Sequence, residues 1–315
     1  MILTAPKLTG DNCQTRPGER KLGQATFVLW EKARRHDWAG VGCSSIKTFF
    51  NGHALYSVGR GFHAVDSSRY LVLNDGQSYA ISIDSKTPVE SFCIFFEHGF
   101  VEETVRCVHE RAERLLDEPE AGRQSRVEFV ERTYPHDAVL SPALFCLREK
   151  LGAGRHESLW LEEHLHQVTE RLLAVHQNEL RQMARLTAMR AATREELYRR
   201  AYRARDYAEA LFHERVSLRH LAQAACLSPN HLLRVFRQVF GMTPHQYLSA
   251  RRLQEATRLL SQTETSVTEI CLDVGFESLG SFSALFRRSF GLSPQAYRRQ
   301  KGDFGEATEA FPGAG

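Results

Sequence analysis

One phrase is written twice in this chain, and the repetition constrains the fold more than any other feature. Residues 236–248 read FRQVFGMTPHQYL, and residues 286–298 read FRRSFGLSPQAYR. The likeness extends upstream: residues 217–244 align with residues 266–294 at an offset of 49 and, after one inserted residue, of 50. Self-similarity of this length indicates a duplicated structural unit, so we expect the C-terminal third to fold as two similar halves.

The first copy has the pattern of a helix-turn-helix over residues 217–240. Leu218, Leu221 and Ala225 recur at helical spacing, and Ser228 followed by Pro229 predicts the start of a second helix. That second helix carries an apolar side of Leu232, Val235, Phe236 and Val239, and an opposite side of Asn230, His231, Arg234 and Arg237. The apolar side should pack on the core and leave the polar side free to contact a partner.

The second copy has the same pattern over residues 266–290. Ser266 and Glu269 form a capping-box signature, and Gly275 lies in the turn, where the backbone favours positive φ; Cys226 has the equivalent place in the first copy. The second helix of this copy should bury Phe282, Leu285 and Phe286 and present Leu279, Gly280, Ser281, Ser283, Arg287 and Arg288. Both copies therefore predict one buried and one presented helix face.

Residues 245–260, between the copies, predict a linker helix of about 24 Å. A rigid helix of this length can hold two recognition helices near the spacing of about 34 Å that separates successive major grooves on one face of DNA. Gly241 and Gly291 should end the two second helices, and Thr243 and Ser293, each followed by proline, should begin the next ones. The residues common to both copies are therefore expected to form the structural scaffold of the two helix pairs.

Positive charge is concentrated in the repeated segment. Residues 201–300 contain thirteen arginines, no lysine and eight acidic residues, a net charge of +5, whereas residues 1–200 contain 27 charges of each sign. An anionic partner for the C-terminal segment is indicated.

Short β-favouring runs, separated by Gly, Asn and Asp, occupy residues 24–97. Residues 70–83 contain two such runs around Asn74-Asp75-Gly76, which predicts a hairpin because Asp-Gly accepts the positive φ of a tight turn. Several short strands at this spacing predict a β-sandwich or small barrel.

One or two long helices are predicted over residues 157–186, before a polar boundary at residues 187–196. An apolar stripe on these helices follows a 4, 3, 4, 3 spacing through Leu161, Leu165, Val168, Leu172 and Val175. The narrow stripe predicts self-association through a helix pair, and hence a homodimer. The alternative is that the stripe packs on its own β domain.

The segments FGMTPHQYLSARRLQEATRLL and GFESLGSFSALFRRSFGLSPQAYRR resemble the C-terminal DNA-binding domain of the AraC/XylS family of bacterial transcription regulators over about residues 195–300. The N-terminal part is similar to the family only in layout. The resemblance implies a multidomain α+β protein with a C-terminal all-α domain, in which a linker helix joins the two helix-turn-helix motifs. Its divisions would be a flexible arm (1–22), a cupin-like β-barrel or sandwich for effector binding and dimerisation with the long helices (23–190), a DNA-binding domain (194–300) and a disordered tail (301–315).

The resemblance also implies a regulator, more often an activator, that binds double-stranded promoter DNA and, as an activator, RNA polymerase. By position in the motif, base-edge contacts in the first copy should fall on Asn230, Leu233 and Arg234, with His231 and Arg237 near phosphates. In the second copy base-edge contacts should fall on Leu279, Gly280, Ser281 and Ser283, with Arg287 and Arg288 on phosphates. Leu279 and Gly280 offer no side-chain hydrogen bond, so we expect sequence reading to be led by Arg234, which can bond bidentately to guanine.

Two alternatives stay open for the N-terminal domain. It could lack a small-molecule effector and only dimerise or bind a protein; His53, Tyr56, His63, Trp30 and Trp38 are candidate pocket residues. A cupin-type metal enzyme is the remoter alternative, because the strand region has no His-x-His followed by Glu. We expect no catalysis, no metal and no cofactor.

Seven scattered cysteines without a Cys-x-x-Cys pair indicate reduced thiols. No stretch approaches the run of about 18 to 20 uncharged apolar residues that a membrane span needs, and the first residues lack an apolar signal core. The sequence therefore predicts a soluble cytoplasmic protein.

Overall fold

The computed structural model describes residues 3–4, 22–109, 127–154, 158–186 and 191–303. The chain divides into two units. The first comprises Met1–Ala210 with Ala224–Leu227, and the second comprises Leu211–Gln223 with Ser228–Gly315. The expected mobile arm and tail lie mostly outside the described residues.

The first unit is built around a sheet. Its strands within the described ranges are β1 (Leu3–Thr4), β2 (Phe27–Val41), β3 (Ser45–Phe50), β4 (His53–Val58), β5 (Gly61–Asp66), β6 (Arg69–Leu73), β7 (Ser78–Phe95) and β8 (Thr133–Pro135). The strand order is β1-β2-β7-β3-β6-β8, and β4 pairs with both β5 and β7. Because β7 pairs with β2, β3 and β4 along its 18 residues, the sheet curls into a nearly closed barrel. A barrel was one of the two architectures that the sequence predicted.

Successive side chains of a strand point to opposite faces of the sheet, and here both faces contain apolar residues. Val28, Ile46 and Ile94 belong to a core that also includes the helices of this unit. Their neighbours in the chain, among them Phe27 and Phe95, belong to a second core inside the barrel. Around these residues both faces are covered, so β3 and β6 are buried along nearly their whole length, whereas β2 and β7 also have exposed stretches.

Four helices complete the first unit: α1 (Phe100–His109), α2 (Ser141–Gly152), α3 (Ser158–Ala184) and α4 (Ala191–Ala210). The apolar stripe of α3 packs into the core outside the barrel, with Leu161, Leu165, Val168 and Leu172 at most 4% exposed and Val175 packed against the same core. The structure therefore supports the alternative that the stripe serves its own β domain. Four of the five residues are therefore enclosed in the core of their own unit, and Val175 is half-buried against it.

The Asp-Gly turn does not form the hairpin that the sequence predicts. The strands on either side of it, β6 and β7, both pair with β3, which lies between them. Gly76 does have a positive φ of 72°. The turn chemistry was predicted correctly, but strand pairing was not, because pairing depends on distant segments. The tight hairpin is β4–β5, where Val58 pairs with Gly61.

Helix α4 belongs to the first unit, although the sequence placed the domain boundary before it. Its buried Asp206 accepts hydrogen bonds from the backbone N–H and the hydroxyl of Thr133 in β8, both at 2.9 Å. Tyr198, also on α4, donates to Glu179 on α3. These buried polar contacts account for the unit boundary at Ala210.

Both ends of the described chain contain more structure than expected. Leu3–Thr4 pair in parallel with Phe27–Val28, so the prediction of a flexible arm fails for these two residues. They cover backbone groups of β2 that would otherwise form a sheet edge. The last helix of the second unit reaches Asp303, which brings three residues of the expected tail into a helix.

The second unit is helical within its described residues. Its helices are α5 (Leu218–Ala224), α6 (Pro229–Phe240), α7 (Pro244–Gln262), α8 (Val267–Asp273), α9 (Leu279–Phe290) and α10 (Pro294–Asp303). Helices α5 and α8 have equal lengths of 7 residues, and α6 and α9 have equal lengths of 12 residues. In the described part of the chain, no helix is both long enough and apolar enough to cross a membrane.

Candidate nucleic-acid interface

The repeated phrase builds the same aromatic cluster twice. In the first copy the ring centroids of Phe236 and Phe240 lie 4.4 Å apart, and that of Tyr247 lies 5.7 and 5.9 Å from them. The equivalent distances among Phe286, Phe290 and Tyr297 are 4.6, 5.5 and 5.9 Å. Each cluster joins a long helix of the pair to the helix that follows, which fixes the orientation of α6 and α9 on their cores.

Capping fixes where α6 and α9 begin and end. Ser228 accepts a hydrogen bond from the His231 N–H at the start of α6, and Ser278 accepts one from the Ser281 N–H at the start of α9. Gly241 and Gly291 close the two helices in the left-handed conformation, with φ of 69° and 76°. The predicted start of α6 at Ser228 and the predicted ends of both helices at Gly241 and Gly291 are confirmed, and the structure adds Ser278 as the cap of α9.

The turns before α6 and α9 also match. Cys226 has a φ of 52° and Gly275 a φ of 91°, so both copies need a left-handed residue at this point. A β-carbon on Gly275 would lie 2.8 Å from the Phe212 carbonyl oxygen and 2.9 Å from that of His213. Glycine is therefore required in the second copy by both its conformation and the space around it.

The face of α6 opposite its buried residues is polar and accessible. Leu232, Val235 and Phe236 are at most 2% exposed. Of the predicted contact residues, the exposed ones are Asn230, Arg234 and Arg237, and the half-buried ones are His231 and Leu233. The exposed three are spaced by four and three positions, so they lie along one stripe of the helix.

The corresponding face of α9 is accessible but chemically different. Phe282 and Phe286 are fully buried, and Leu279 is 42% exposed. Of the other predicted residues, Ser283 is half-buried and the exposed ones are Gly280, Ser281, Arg287 and Arg288. The first turn thus presents a methyl-bearing side chain, a bare backbone and a hydroxyl, while its last turn presents two cations.

The arginines of the second unit fall into two groups. One group is bonded within the unit: Arg252 donates to the carbonyls of Phe212 and Glu214 at 2.7 Å, and Arg258 pairs with Glu255 at 2.5 Å. The other group forms no ion pair or side-chain hydrogen bond with any part of the chain that the structure describes, and comprises Arg219, Arg234, Arg237, Arg287, Arg288 and Arg299. Four of these six unpaired arginines lie on the exposed faces of α6 and α9, while Arg219 is on α5 and Arg299 on α10.

The barrel of the first unit surrounds a cavity of about 880 Å³, measured with its open mouth. Of the candidate pocket residues, Tyr56 and Trp38 line this cavity, whereas His53 is exposed on β4. Lys47 also lines it, although the sequence did not single out this residue. The sequence feature that could have identified Lys47 is a lysine inside the apolar run SIKTFF. On a strand it shares one face with Ser45 and Phe49, which are two positions away on either side.

Two other candidate pocket residues serve as structural hydrogen-bond donors. The Trp30 ring N–H donates to Glu90 at 2.8 Å. His63 is fully buried, and its Nδ1 donates to Asp206 at 2.9 Å, while its Nε2 lies 3.6 Å from Glu131. Burial opposes a charge on His63, but the hydrogen bond to Asp206 and the nearby Glu131 carboxylate outweigh it and raise its pKa to about 9. His63 is therefore a charged member of the polar cluster beneath α4.

No group of three or more His, Cys, Asp or Glu side chains that could hold a metal ion occurs in the described ranges. His164 Nδ1 is bonded to the Trp160 carbonyl and His166 Nδ1 lies near the Thr104 hydroxyl, so the two ring nitrogens have separate partners. The described cysteines, including Cys43, Cys93 and Cys226, are free thiols.

Comparison with known proteins places residues 221–300 in a helix-turn-helix domain family. The transcriptional activator RhaS of Escherichia fergusonii is 42% identical over 88 residues, which are 28% of this chain and 32% of that protein. The melibiose operon regulatory protein of Escherichia coli K12 is 32% identical over 110 residues, 35% of this chain and 34% of that protein. Across the first relatives, the chain spans between 28% and 38% of their lengths.

The chain is also similar to a solved structure. The transcriptional regulator from Chromobacterium violaceum, described as having an AraC-type DNA-binding domain, is 32% identical, with a TM-score of 0.32. The match covers 37% of this chain and 100% of that chain. The similarities to these named relatives thus concern the C-terminal part of the chain.

Proposed function

We propose that the chain is a member of the AraC/XylS family of transcription regulators through its C-terminal domain. It would bind promoter DNA with α6 and α9 and regulate transcription there. One observation carries this proposal: four of the six unpaired arginines described above lie on the exposed faces of these two helices. A DNA-binding surface needs accessible cations that are not neutralised by the protein itself.

Helix α6 would read the sequence. Arg234 is exposed in the middle of the accessible stripe, and a guanidinium can donate two hydrogen bonds to the O6 and N7 of one guanine. Asn230, one turn earlier, can pair in the same bidentate way with adenine. Arg237 and the half-buried His231 would contact phosphates, which position the helix without reading sequence.

Helix α9 would contribute mainly affinity. Leu279 can contact a thymine methyl group and Ser281 can donate one hydrogen bond, but Gly280 has no side chain. Arg287 and Arg288, in the last turn, would neutralise phosphates. Because of these side chains, α9 would discriminate between base pairs less than α6 does.

Both helix pairs would act as helix-turn-helix units on one DNA duplex. The aromatic clusters of the two copies match to within 0.2 Å, as 4.4 against 4.6 Å and 5.7 against 5.5 Å show. The 19-residue helix α7 between the pairs is about 28 Å long, which suits recognition helices in successive major grooves.

The first unit would control this activity through a small molecule. Support comes from the barrel cavity, which is lined mainly by apolar side chains with a few polar groups, as small-molecule sites are. We further propose a homodimer that acts as an activator on RNA polymerase, in keeping with the role of RhaS as a transcriptional activator. Its dimer face would have to lie elsewhere than on the buried stripe of α3; sedimentation of the purified protein tests the assembly state.

Selection of binding sites from a random duplex library, followed by footprinting at several salt concentrations, tests the DNA proposal. We expect a selected site of at least about one and a half helical turns per protomer, since two grooves must be engaged. Arg287→Ala and Arg288→Ala should each reduce the slope of log affinity against log salt by about 0.9. Arg258→Ala, which removes a cation already paired with Glu255, is the matched control. Failure to enrich any sequence, or a shorter site, would refute simultaneous use of both helix pairs.

A further inference from the structure

The cavity of the first unit is formed by the inward faces of β2, β3, β4 and β7. Alternate residues of these strands point into it, including Phe27, Leu29, Trp38, Phe49, Tyr79 and Phe95. Phe27 and Phe95 stack with ring centroids 4.8 Å apart and planes within 10°. A lining of this kind accommodates a flat ring or a hydrocarbon chain far better than a molecule rich in hydroxyl groups.

Lys47 places a single ammonium group against this apolar lining. The residue is 1% exposed, and its Nζ lies 3.3 Å from the ring centroid of Phe95 and 5.5 Å from that of Tyr79. Among the described residues no carboxylate forms an ion pair with it. Burial lowers its pKa to about 8, so the ammonium form still predominates near neutral pH. A buried cation without a counter-ion favours the arrival of an anion.

Glu31 also lines the cavity, but neither it nor any other polar group of the described lining forms an ion pair with Lys47. Burial raises the pKa values of Cys93 and Tyr56, so both stay neutral at physiological pH. Lys47 pairs in register with Cys93 of β7, and Glu31 pairs with Ser91 of β7 from the opposite side. The backbones of Lys47 and Glu31 are therefore two strand spacings apart across the sheet and offset by two residues along it, a separation of about 12 Å.

We propose that this cavity binds an apolar carboxylic acid in its anionic form, with the carboxylate on Lys47 and the ring or chain among the aromatic side chains. The inference rests on the effector control proposed above and gives the effector a chemical class. One unpaired ammonium matches one negative charge. A phosphate monoester carries nearly two charges, and a sugar needs many more hydrogen-bond partners than this lining offers.

Probes that differ only in the polar end test the class. Isothermal calorimetry and thermal denaturation of the full-length protein would compare octanoate, octan-1-ol and octylammonium, with 3-phenylpropanoate as a ring-bearing acid. We expect octanoate to bind at least about tenfold more tightly than octan-1-ol, since the charge-assisted bond is available to the acid alone. The acids should also raise the melting temperature, because they bind only the folded state.

Variants then assign the effect to Lys47. Lys47→Met should bring the affinity for octanoate down to that for octan-1-ol while leaving the alcohol unchanged, and Lys47→Arg should retain a preference for the acid. Lys86→Met removes the same charge from an exposed position on β7 and should change neither affinity. If Lys47→Met does not fold, the comparison of acid, alcohol and amine on the unaltered protein still decides.

Equal affinities for the three octyl compounds, tighter binding of the amine, or no binding by any probe would overturn the assignment. DNA binding, measured separately on the same protein, keeps this result distinct from the proposed function. A protein that binds its selected DNA site but takes up no acid contradicts only the effector class. If the protein takes up the acid but binds no DNA, the proposed regulatory function is contradicted, whereas the proposal that the cavity binds an acid still stands.

Discussion

His63 Nδ1 lies 2.9 Å from a carboxylate oxygen of Asp206, and both side chains are fully buried. This ion pair joins β5 to α4, across 143 positions of the chain. Asp206 also accepts a hydrogen bond from Arg205 and two from Thr133. Burial opposes its charge, yet the Arg205 guanidinium and His63 hold the pKa of the carboxyl far below its usual range. Asp206 is thus the anionic centre of the contact between α4 and the barrel.

Replacing Asp206 by Asn should strongly destabilise the first unit. The change removes the negative charge between His63 and Arg205 and leaves buried cations uncompensated, a loss of about 3 to 5 kcal/mol in the free energy of unfolding. Urea denaturation followed by circular dichroism measures it. Asp84→Asn breaks an ion pair with Arg35 in which both side chains are more than three-quarters exposed, and should leave the midpoint nearly unchanged. Similar effects of the two changes would show that the buried cluster contributes little.

The contribution of His63 should depend on pH. Its pKa rises on folding to about 9 from an ordinary value of about 6.5, so the protonated ring binds more tightly in the folded state. The stabilisation should be complete below about pH 6.5 and lost as the pH rises through about 9. The groups that face it are Asp206 and Glu131.

Comparison with a His63→Gln variant isolates this effect, because Lys47 titrates in the same range in both proteins. The difference in unfolding free energy between the two proteins should shrink between pH 6.5 and 9. A difference that is constant across this range would mean that the ring is neutral in the folded protein.

Arg234→Ala should relax sequence preference at one base pair of the selected DNA site. The lost bidentate contact corresponds to about 1 to 3 kcal/mol of discrimination against the wrong base. Affinities for a panel of single-base variants of that site provide the measurement, with Arg237→Ala as the comparison, because a phosphate contact weakens all sites alike. If Arg234→Ala weakened the affinity for all variants of the site equally, Arg234 would be assigned a phosphate contact as well.

Gly275→Ala should cost more stability than Gly291→Ala. Both glycines have positive φ, which costs an alanine about 1 to 2 kcal/mol. At Gly291 a β-carbon would meet nothing within 4 Å, but at Gly275 it would lie within 2.9 Å of two backbone carbonyls. The difference between the two variants in thermal or urea denaturation therefore measures the crowding alone, and equal losses would mean that the turn can move aside.

The scaffold of the C-terminal unit could be predicted closely because its determinants are local. Ser266 and Glu269 form a capping box within four residues, and Gly241 ends α6 next to the last helical residue. Strand pairing could not be predicted in this way. The turn at Gly76 has the expected conformation. However, the strands that this turn connects, β6 and β7, do not pair, because β3 from earlier in the chain lies between them.

The site residues show the same limit. Exposure of Arg234 and Asn230 follows from helical spacing, so the polar face of α6 was evident from the sequence. The stripe on α3 was evident too, but an apolar stripe does not reveal which surface covers it, and here the barrel does. Lys47 was missed because a short strand does not show which of its two faces is enclosed by a cavity.

The attachment of α4 has a consequence for the order in which the protein matures. A ribosome adds roughly 5 to 20 residues per second, so the 143 positions between His63 and Asp206 correspond to roughly 7 to 30 seconds of synthesis. During that interval strands β2 to β7 have all been made, while the carboxylate that neutralises His63 has not. The contact between His63 and Asp206 can therefore form only after α4 has been synthesised, immediately before the two repeated helix pairs.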